Sequence, residues 1–379
     1  MNTALETTFW LSAGLLAWSQ VGYPLLLAAL QMVMRRPGAP APLADTDALP
    51  SVSIVVAAYR EAGVIAQRIE NLRALDWPGG ELEIIVACDG SDDGTVEAAR
   101  AAGADKVLDL PRGGKVRAQD AAVRGSTADL IAFSDANSKW RPTALRYLLA
   151  PFADPEVAYV CGRVRFERAD GTNQEGIYWR FEMFIRGLEA KLASVTAGNG
   201  AIYAVRRSDY VEVDPVMGHD LKLPSTLVKL GHLAVEAPSA SATELMVPSL
   251  EGEFSRKRRM MSHAWPIVIK GGLLSPRGYS PLYCLMIFSH RAIRYASPLL
   301  HTLALVASAL LASGSTFWTV VVGLQLAGIA AAILGGRVKL KPLLLIRYYV
   351  LMTAAIAAGC WDWARHGTEA GWEPPEGTR

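Results

Sequence analysis

The stretch Leu82-Glu-Ile-Ile-Val-Ala-Cys88-Asp89-Gly90-Ser91-Asp92-Asp93-Gly94-Thr95 decides the fold class. A short apolar run without helical period ends in a polar, glycine-punctuated turn, and Thr95 to Ala102 then has helical spacing. Such a run reads as a strand buried on both faces. Working outward, the unit repeats. Upstream, Ser51-Val-Ser-Ile-Val-Val-Ala-Ala58 ends in Tyr59-Arg60-Glu61, and Val64 to Leu75 is helical in pattern. Downstream, Lys106 to Leu110, Leu130 to Ser134 and Val157 to Cys161 read as further strands. The first two end in Pro111-Arg112-Gly113-Gly114-Lys115 and Asp135-Ala136-Asn137. The alternation implies an α/β domain, a mostly parallel sheet with helices on both faces. Ligands of such sheets sit beyond the carboxyl ends of the strands, so the four polar clusters form one candidate site. Ser91 and Asp92 also read as helix caps ahead of Thr95.

The flanks are of another kind. Of the 379 residues 51% are hydrophobic, and the excess sits at the two ends. Thr7 to Met34 carries no charge and is long enough to cross a bilayer. Arg35 and Arg36 follow it, which puts the N-terminus outside and the α/β domain in the cytosol. Tyr295 to Gly336 lacks Asp, Glu, Lys and Arg and breaks at Ser313-Gly314-Ser315 into two spans; Arg337, Lys339 and Lys341 return to the cytosolic side. Pro342 to Trp361, with Arg347 inside it, is read as a fourth span, a surface-lying helix being the alternative. The expected organisation is a transmembrane helix in 1–36, a Pro/Ala-rich linker in 37–50 and the α/β domain in 51–250. Basic interfacial helices in 251–294, C-terminal transmembrane helices in 295–363 and a tail in 364–379 complete it. The chain is read as a multi-pass protein of the cell membrane.

Net charge is +2, so the balance gives no sign of a nucleic-acid partner. Cys88, Cys161, Cys284 and Cys360 are far apart, form no metal pattern and read as buried small hydrophobes in a reduced compartment. No G-x-G-x-x-G follows the first strand and no glycine loop ends in Gly-Lys-Ser/Thr, which argues against dinucleotide and P-loop sites. The histidines at 232, 263, 290 and 301 receive no role.

The motifs in order resemble the family-2 glycosyltransferases, in particular the membrane-integrated branch with cellulose, chitin and hyaluronan synthases. The likeness rests on Ala58-Tyr59-Arg60-Glu61, Asp89-Gly90-Ser91-Asp92-Asp93, Gly113-Gly114-Lys115 and Asp135-Ala136-Asn137. It continues through Gly198-Asn199-Gly200-Ala201-Ile202-Tyr203, Gly218-His219-Asp220-Leu221 and Arg256-Lys257-Arg258-Arg259-Met260. The resemblance implies a GT-A-like fold, a nucleotide-diphospho-sugar donor (a UDP-sugar), a divalent metal (Mg2+ or Mn2+) and inversion at the anomeric carbon. Breaking the bond to a diphosphate builds negative charge on the leaving group, and the acceptor hydroxyl must lose a proton. By the resemblance Asp135 and Asn137 hold the metal, with Asn137 where a carboxylate is usual. Asp220 is the base, His219 standing where a glutamate is common; His219 as base and Asp220 as a helix cap are alternatives. Tyr59, Glu61, Asp89, Lys115, Asp135, Arg256 and Arg259 would bind the donor, and Gly198, Asn199 and Gly200 the acceptor. Lys257 and Arg258 would face lipid. The expected partners are a glycan or lipid acceptor and membrane lipid. The competing reading is a membrane-anchored nucleotide-sugar binding module weakened in catalysis, suggested by Asn137 and Met260.

Overall fold

The computed structural model describes residues 2–34, 40–44, 49–78, 81–167, 176–247, 249–338 and 340–371. Arg35, Arg36, Lys339, half of the expected 37–50 linker and the end of the tail lie outside the described residues. Eight strands form one sheet: β1 (Val52–Ala58), β2 (Leu82–Asp89), β3 (Lys106–Leu110), β4 (Leu130–Asp135), β5 (Lys139–Trp140), β6 (Val157–Glu167), β7 (Tyr203–Arg206) and β8 (Leu233–Leu245). Their order is β3-β2-β1-β4-β7-β6-β8-β5. The half from β3 to β4 is parallel, as is the pair β6–β8, while β7 runs antiparallel to β4 and β6, and β5 to β8.

Alternation along the parallel strands explains why both faces are covered. Val52, Ile54, Val56 and Ala58 of β1 join Ile65, Ile69 and Leu72 of the helix Ile65–Arg73 in one core. Val55 points the other way, with Val116 and Ala122 of the helix Lys115–Arg124 and Leu223 of the helix Lys222–Lys229. In β4, Leu130 and Ala132 join the first core, Ile131 and Phe133 the second. Burying each such side chain contributes about 1.5–3 kcal/mol, so every strand position holds the register. The sequence reversal falls at β1, whose neighbours are β2 and β4, and opens a crevice at their carboxyl tips.

The expected strands appear within a residue or two, except that β6 runs on to Glu167. Three strands were not expected: β5, β7 and β8. The sequence of β8, Leu-Ala-Val-Glu-Ala-Pro-Ser-Ala-Ser-Ala-Thr-Glu-Leu, is too polar to announce a strand. Pairing with β6 makes it one, and the irregular register between Cys161 and Arg163 takes up Pro238.

Among the described residues, four helices are long and apolar enough to cross a membrane: Asn2–Val33, Pro281–Leu311, Thr316–Leu334 and Lys341–His366. Thr316–Leu334 turns Phe317, Val320, Leu324, Leu326, Ile329 and Ile333 outward, an apolar surface that suits lipid. The second of these helices begins at Pro281, so Arg291 and Arg294, expected in an interfacial segment, lie within it. Only Leu250–Ile269, between β8 and the apolar helices, keeps the basic interfacial pattern. Cys88 and Cys161 are buried as expected; Cys284 and Cys360 are half-buried.

Candidate active site

The strand tips gather the polar clusters, and each is held by a specific partner. At the tip of β2, Asp89 is 1% exposed, and its carboxylate accepts hydrogen bonds from the backbone of Gly113 (2.6 Å) and Gly114 (2.9 Å) and from Arg112 Nη1 (2.9 Å). Asp89 therefore shapes the Arg112–Gly114 loop with both oxygens engaged. The Arg112 guanidinium stacks on Tyr59, 3.3 Å from the ring centroid. Glu61 is buried at the start of the next turn, where its backbone N–H donates to Thr95 Oγ1. Ser91 and Asp92 are not helix caps. Ser91 Oγ accepts from the Arg60 N–H, and Asp92 takes the Arg60 guanidinium on both oxygens. That clasp holds Arg60 at φ 54°, a left-handed backbone costly for a non-glycine residue. Thr95 instead takes its cap from Asp93, whose Oδ1 accepts from the Thr95 N–H at 3.2 Å.

At the tip of β4, Asp135 pairs with Lys115, the first residue of its helix. Burial works against the Lys115 charge, but the carboxylates of Asp135, then Asp220 and Glu244, outweigh it and raise its pKa above the ordinary lysine value. Gly200 closes this corner. A Cβ there would sit 3.1 Å from Lys115 Nζ and 3.2 Å from Asp135 Oδ2, so glycine leaves room against the ion pair. The same loop reaches Asp220: the Gly198 N–H donates to the Asp220 carbonyl at 2.7 Å. Asp135, Lys115, Gly200 and Asp220, all half-buried, thus lie together beside the tip of β4.

Gly198 and Asn199 serve the loop rather than the open cleft. A Cβ at Gly198 would collide with the Tyr159 hydroxyl, and Asn199 spends its side chain on Gly162, Ala201 and Ile202. Asp220 is not a helix cap either, because Leu221 holds that position before Lys222–Lys229 and no side chain caps it.

His219 lies inside the core with both ring nitrogens beside hydroxyls. It is 4% exposed, with Nδ1 at 2.8 Å from the Tyr203 hydroxyl and Nε2 at 3.3 Å from that of Tyr210. Burial, with the nearby Lys115 charge, pushes its pKa down to about 3, so the ring is neutral. Gln119 donates to the Tyr203 hydroxyl and the Tyr210 hydroxyl to Asp120, completing a buried network beneath the cleft. Beyond the motif histidine, no residue pattern announced this network.

The basic helix Leu250–Ile269 is arranged differently from the expectation. Arg256 is gripped by Glu253 one turn back, Nε to Oε2 at 2.8 Å and Nη2 to Oε1 at 2.7 Å. Arg258 forks onto Asp362 with two contacts of 2.6 Å. Lys257, expected to face lipid, turns inward instead. Burial first, then Arg256 and Arg291, lower its pKa to about 8, against the pull of Glu253 and Asp220. Glu244 in β8 acts electrostatically on Lys115, Arg68 and Arg256 alike. Arg259 follows one turn along the same helix and is half-buried.

Residues 53–213 match the family described as Glycosyl transferase family 2. This stretch is similar to family-2 glycosyltransferase domains. The chain is 28% identical over 165 residues to a beta-monoglucosyldiacylglycerol synthase of Synechocystis sp., covering 39% of this chain and 33% of that protein. It is 27% identical over 241 residues to an N-acetylglucosaminyltransferase of Rhizobium leguminosarum bv. viciae, covering 58% and 56%. The chain thus spans about a third to just over half of these relatives' length. A mannosyltransferase of Pyrobaculum calidifontis, solved with GDP-Man and Mn2+, superposes with a TM-score of 0.72 at 22% identity. The superposition covers 96% of this chain and all of that one, apolar helices included. The fold is GT-A-like, a mixed α/β sheet joined to apolar helices.

Proposed function

We propose that this chain is an inverting glycosyltransferase. It moves a sugar from a nucleotide-diphospho-sugar to a glycan or lipid acceptor at the cytosolic face of the cell membrane. The observation that supports the reading is the closeness of Lys115, Asp135, Gly200 and Asp220 beside the tip of β4. Asp220 has an acceptor-only carboxylate, is half-buried and acts electrostatically on Lys115 and Lys257. It is the base that takes the proton of the acceptor hydroxyl. Lys115, Lys257, Arg256 and Arg259 offset the charge of the diphosphate; the arginines are forked donors suited to phosphate oxygens once released from their present partners. Tyr59 and Arg112 border the nucleoside end of the cleft, with Asp89 fixing their loop and Glu61 packed behind.

A divalent ion fits this donor set in part. Asp135 and Asn137 are both half-buried at the tip of β4 and supply oxygen ligands, and no cluster of three His, Cys, Asp or Glu suited to a metal occurs among the described residues. Asp135 and Asn137 would hold a Mg2+ or Mn2+ by their side-chain oxygens, leaving room for water and donor phosphates. Such an ion, when bound, neutralises the departing diphosphate. The names of the relatives, one a glycolipid synthase and one an N-acetylglucosaminyltransferase, support lipid and glycan acceptors equally; the adjoining apolar helices favour an acceptor carried in the membrane.

The test is incubation of the purified chain with UDP- and GDP-sugars, Mn2+ or Mg2+ and a membrane lipid extract, with products analysed by mass and anomeric configuration by NMR. A glycosylated product of inverted configuration is expected. No product and no nucleoside diphosphate release with any donor would leave the binding-module reading in its place.

A further inference from the structure

The last described residues return to the nucleoside end of the cleft. The helix Lys341–His366 is fixed to the basic helix Leu250–Ile269 near both ends: Arg347 Nη2 lies 2.9 Å from Glu251 Oε1, and Asp362 takes the fork of Arg258. Trp265 Nε1 donates to the Ile356 carbonyl between them, at 3.2 Å. The helix therefore lies along the basic helix, which fits the surface-lying alternative for this segment, and its end turns back towards the sheet. Thr368 Oγ1 donates to the Ser262 carbonyl at 2.7 Å, and the backbone continues to the strand tips. There a Cβ at Gly114 would lie 2.1 Å from the Ala370 carbonyl oxygen, and one at Gly371 would lie 3.5 Å from Arg112 Nη2. Gly114, at φ 98°, is bare where the tail crosses it. Between the two segments is a cavity of about 530 Å³, walled by Tyr59, Arg112, Gly113 and Arg117 on one side and residues 369–371 on the other.

Resting on the proposed donor site, we propose that residues 367–371 are a wall of the nucleoside pocket, closing over a base that enters beside Tyr59 and Arg112. The volume suits a base with its ribose, and the sheet side of the cavity is aromatic and cationic, the chemistry that receives a nucleotide. The tail supplies backbone carbonyls and the Glu369 carboxylate, acceptors for the N–H and hydroxyl groups of a nucleoside. Without it the base face lies open to water.

Two measurements test this. Affinity for UDP and GDP with Mn2+ is compared between the full chain and a chain ended after His366, with melting temperature as the control for folding. About tenfold weaker binding at unchanged melting temperature is expected; equal or tighter binding overturns the proposal. In the full chain, the thiol introduced by Ala370→Cys is alkylated with a maleimide and followed by peptide mass. Slower labelling with nucleotide present is expected, and an unchanged rate overturns the proposal even where the shortened chain fails to fold. Binding of neither nucleotide by the full chain removes the donor-site reading itself, and the tail proposal with it.

Discussion

Acidic residues gather in two places in this molecule, and they are held in opposite ways. At the strand tips Asp135 and Asp220 are half-buried in a cleft, Asp135 facing a single lysine. At the junction between the sheet and the apolar helices, Glu189 is wholly buried and saturated. Tyr23 donates to it at 2.5 Å, His290 Nδ1 lies at 2.7 Å, and the Thr196 hydroxyl donates at 2.9 Å. Burial works against the Glu189 charge, but His290, Arg291 and the Tyr23 hydroxyl outweigh it and hold its pKa below the usual carboxylate range. Glu182 adds a second acid there, facing His290 and Arg294, while Arg291 Nε donates to Thr196 at 3.0 Å. The difference separates two purposes. A charge that is to meet a substrate keeps few fixed partners; a charge that fastens one layer to another is surrounded from three segments and cannot exchange.

The comparison is broken most directly at the cleft. Asp220→Asn should lower transfer by about 10²–10⁴-fold, the worth of a positioned base, with donor affinity and melting temperature near those of the parent chain. Transfer rate and nucleotide binding measured side by side check this, and retained transfer removes Asp220 as the base. Glu189→Ala should do the reverse. Leaving His290 and its neighbours without their carboxylate is expected to cost about 3–5 kcal/mol of stability, read from thermal unfolding in detergent, and Glu189→Gln should recover part of it. A stable Glu189→Ala chain would mean that the junction is no fastening. Asp135→Ala comes next. It removes the partner of Lys115 and one oxygen of the metal position, and about 10–100-fold weaker Mn2+-dependent donor binding is expected by calorimetry. Unchanged affinity would take Asp135 out of the donor site.

How much of this was legible follows from the same contrast. The parallel strands declared themselves because residues such as Ile84, Val86 and Ile131 are buried on both sides and must be apolar without interruption. Their carboxyl tips then pointed to Asp89, Lys115 and Asp135 by topology alone. Strand β8 was hidden, since its pairing depends on β6 and its polar residues, such as Glu236 with Arg163 and Arg186, find partners only in the folded chain. The junction was hidden for that reason too. Tyr23, Glu189 and His290 are distant in sequence, and the one available signal was a spacing of seven that puts Glu182 and Glu189 on one helix face beneath an apolar segment carrying Arg291 and Arg294. Basic residues were visible as a run, but which way each turned was not. Glu253, Asp362 and the half-buried setting of Lys257 decided that, and Lys257 departs from its expected lipid-facing direction.

The smallest expected effect lies between the two regions, in the network under the cleft. Asp120 is 5% exposed and accepts from the Tyr210 hydroxyl. Burial raises its pKa from 3.8 to about 6; the Tyr210 hydrogen bond and Arg124 pull it down, and Glu212 adds to the rise. An acid shifted this way keeps its proton in the fold at pH values where the unfolded chain has lost it. Its stabilising contribution is full below 3.8 and is lost as pH rises through about 6. Asparagine imitates the protonated acid and still accepts from Tyr210. Asp120→Asn should therefore match the parent chain near pH 4 and exceed it by on the order of 1 kcal/mol at pH 7.5. Melting temperatures of the two chains across that range provide the check. A stability difference that does not grow with pH would mean that the fold does not raise the Asp120 pKa, and the network would then belong with the saturated charges of the junction.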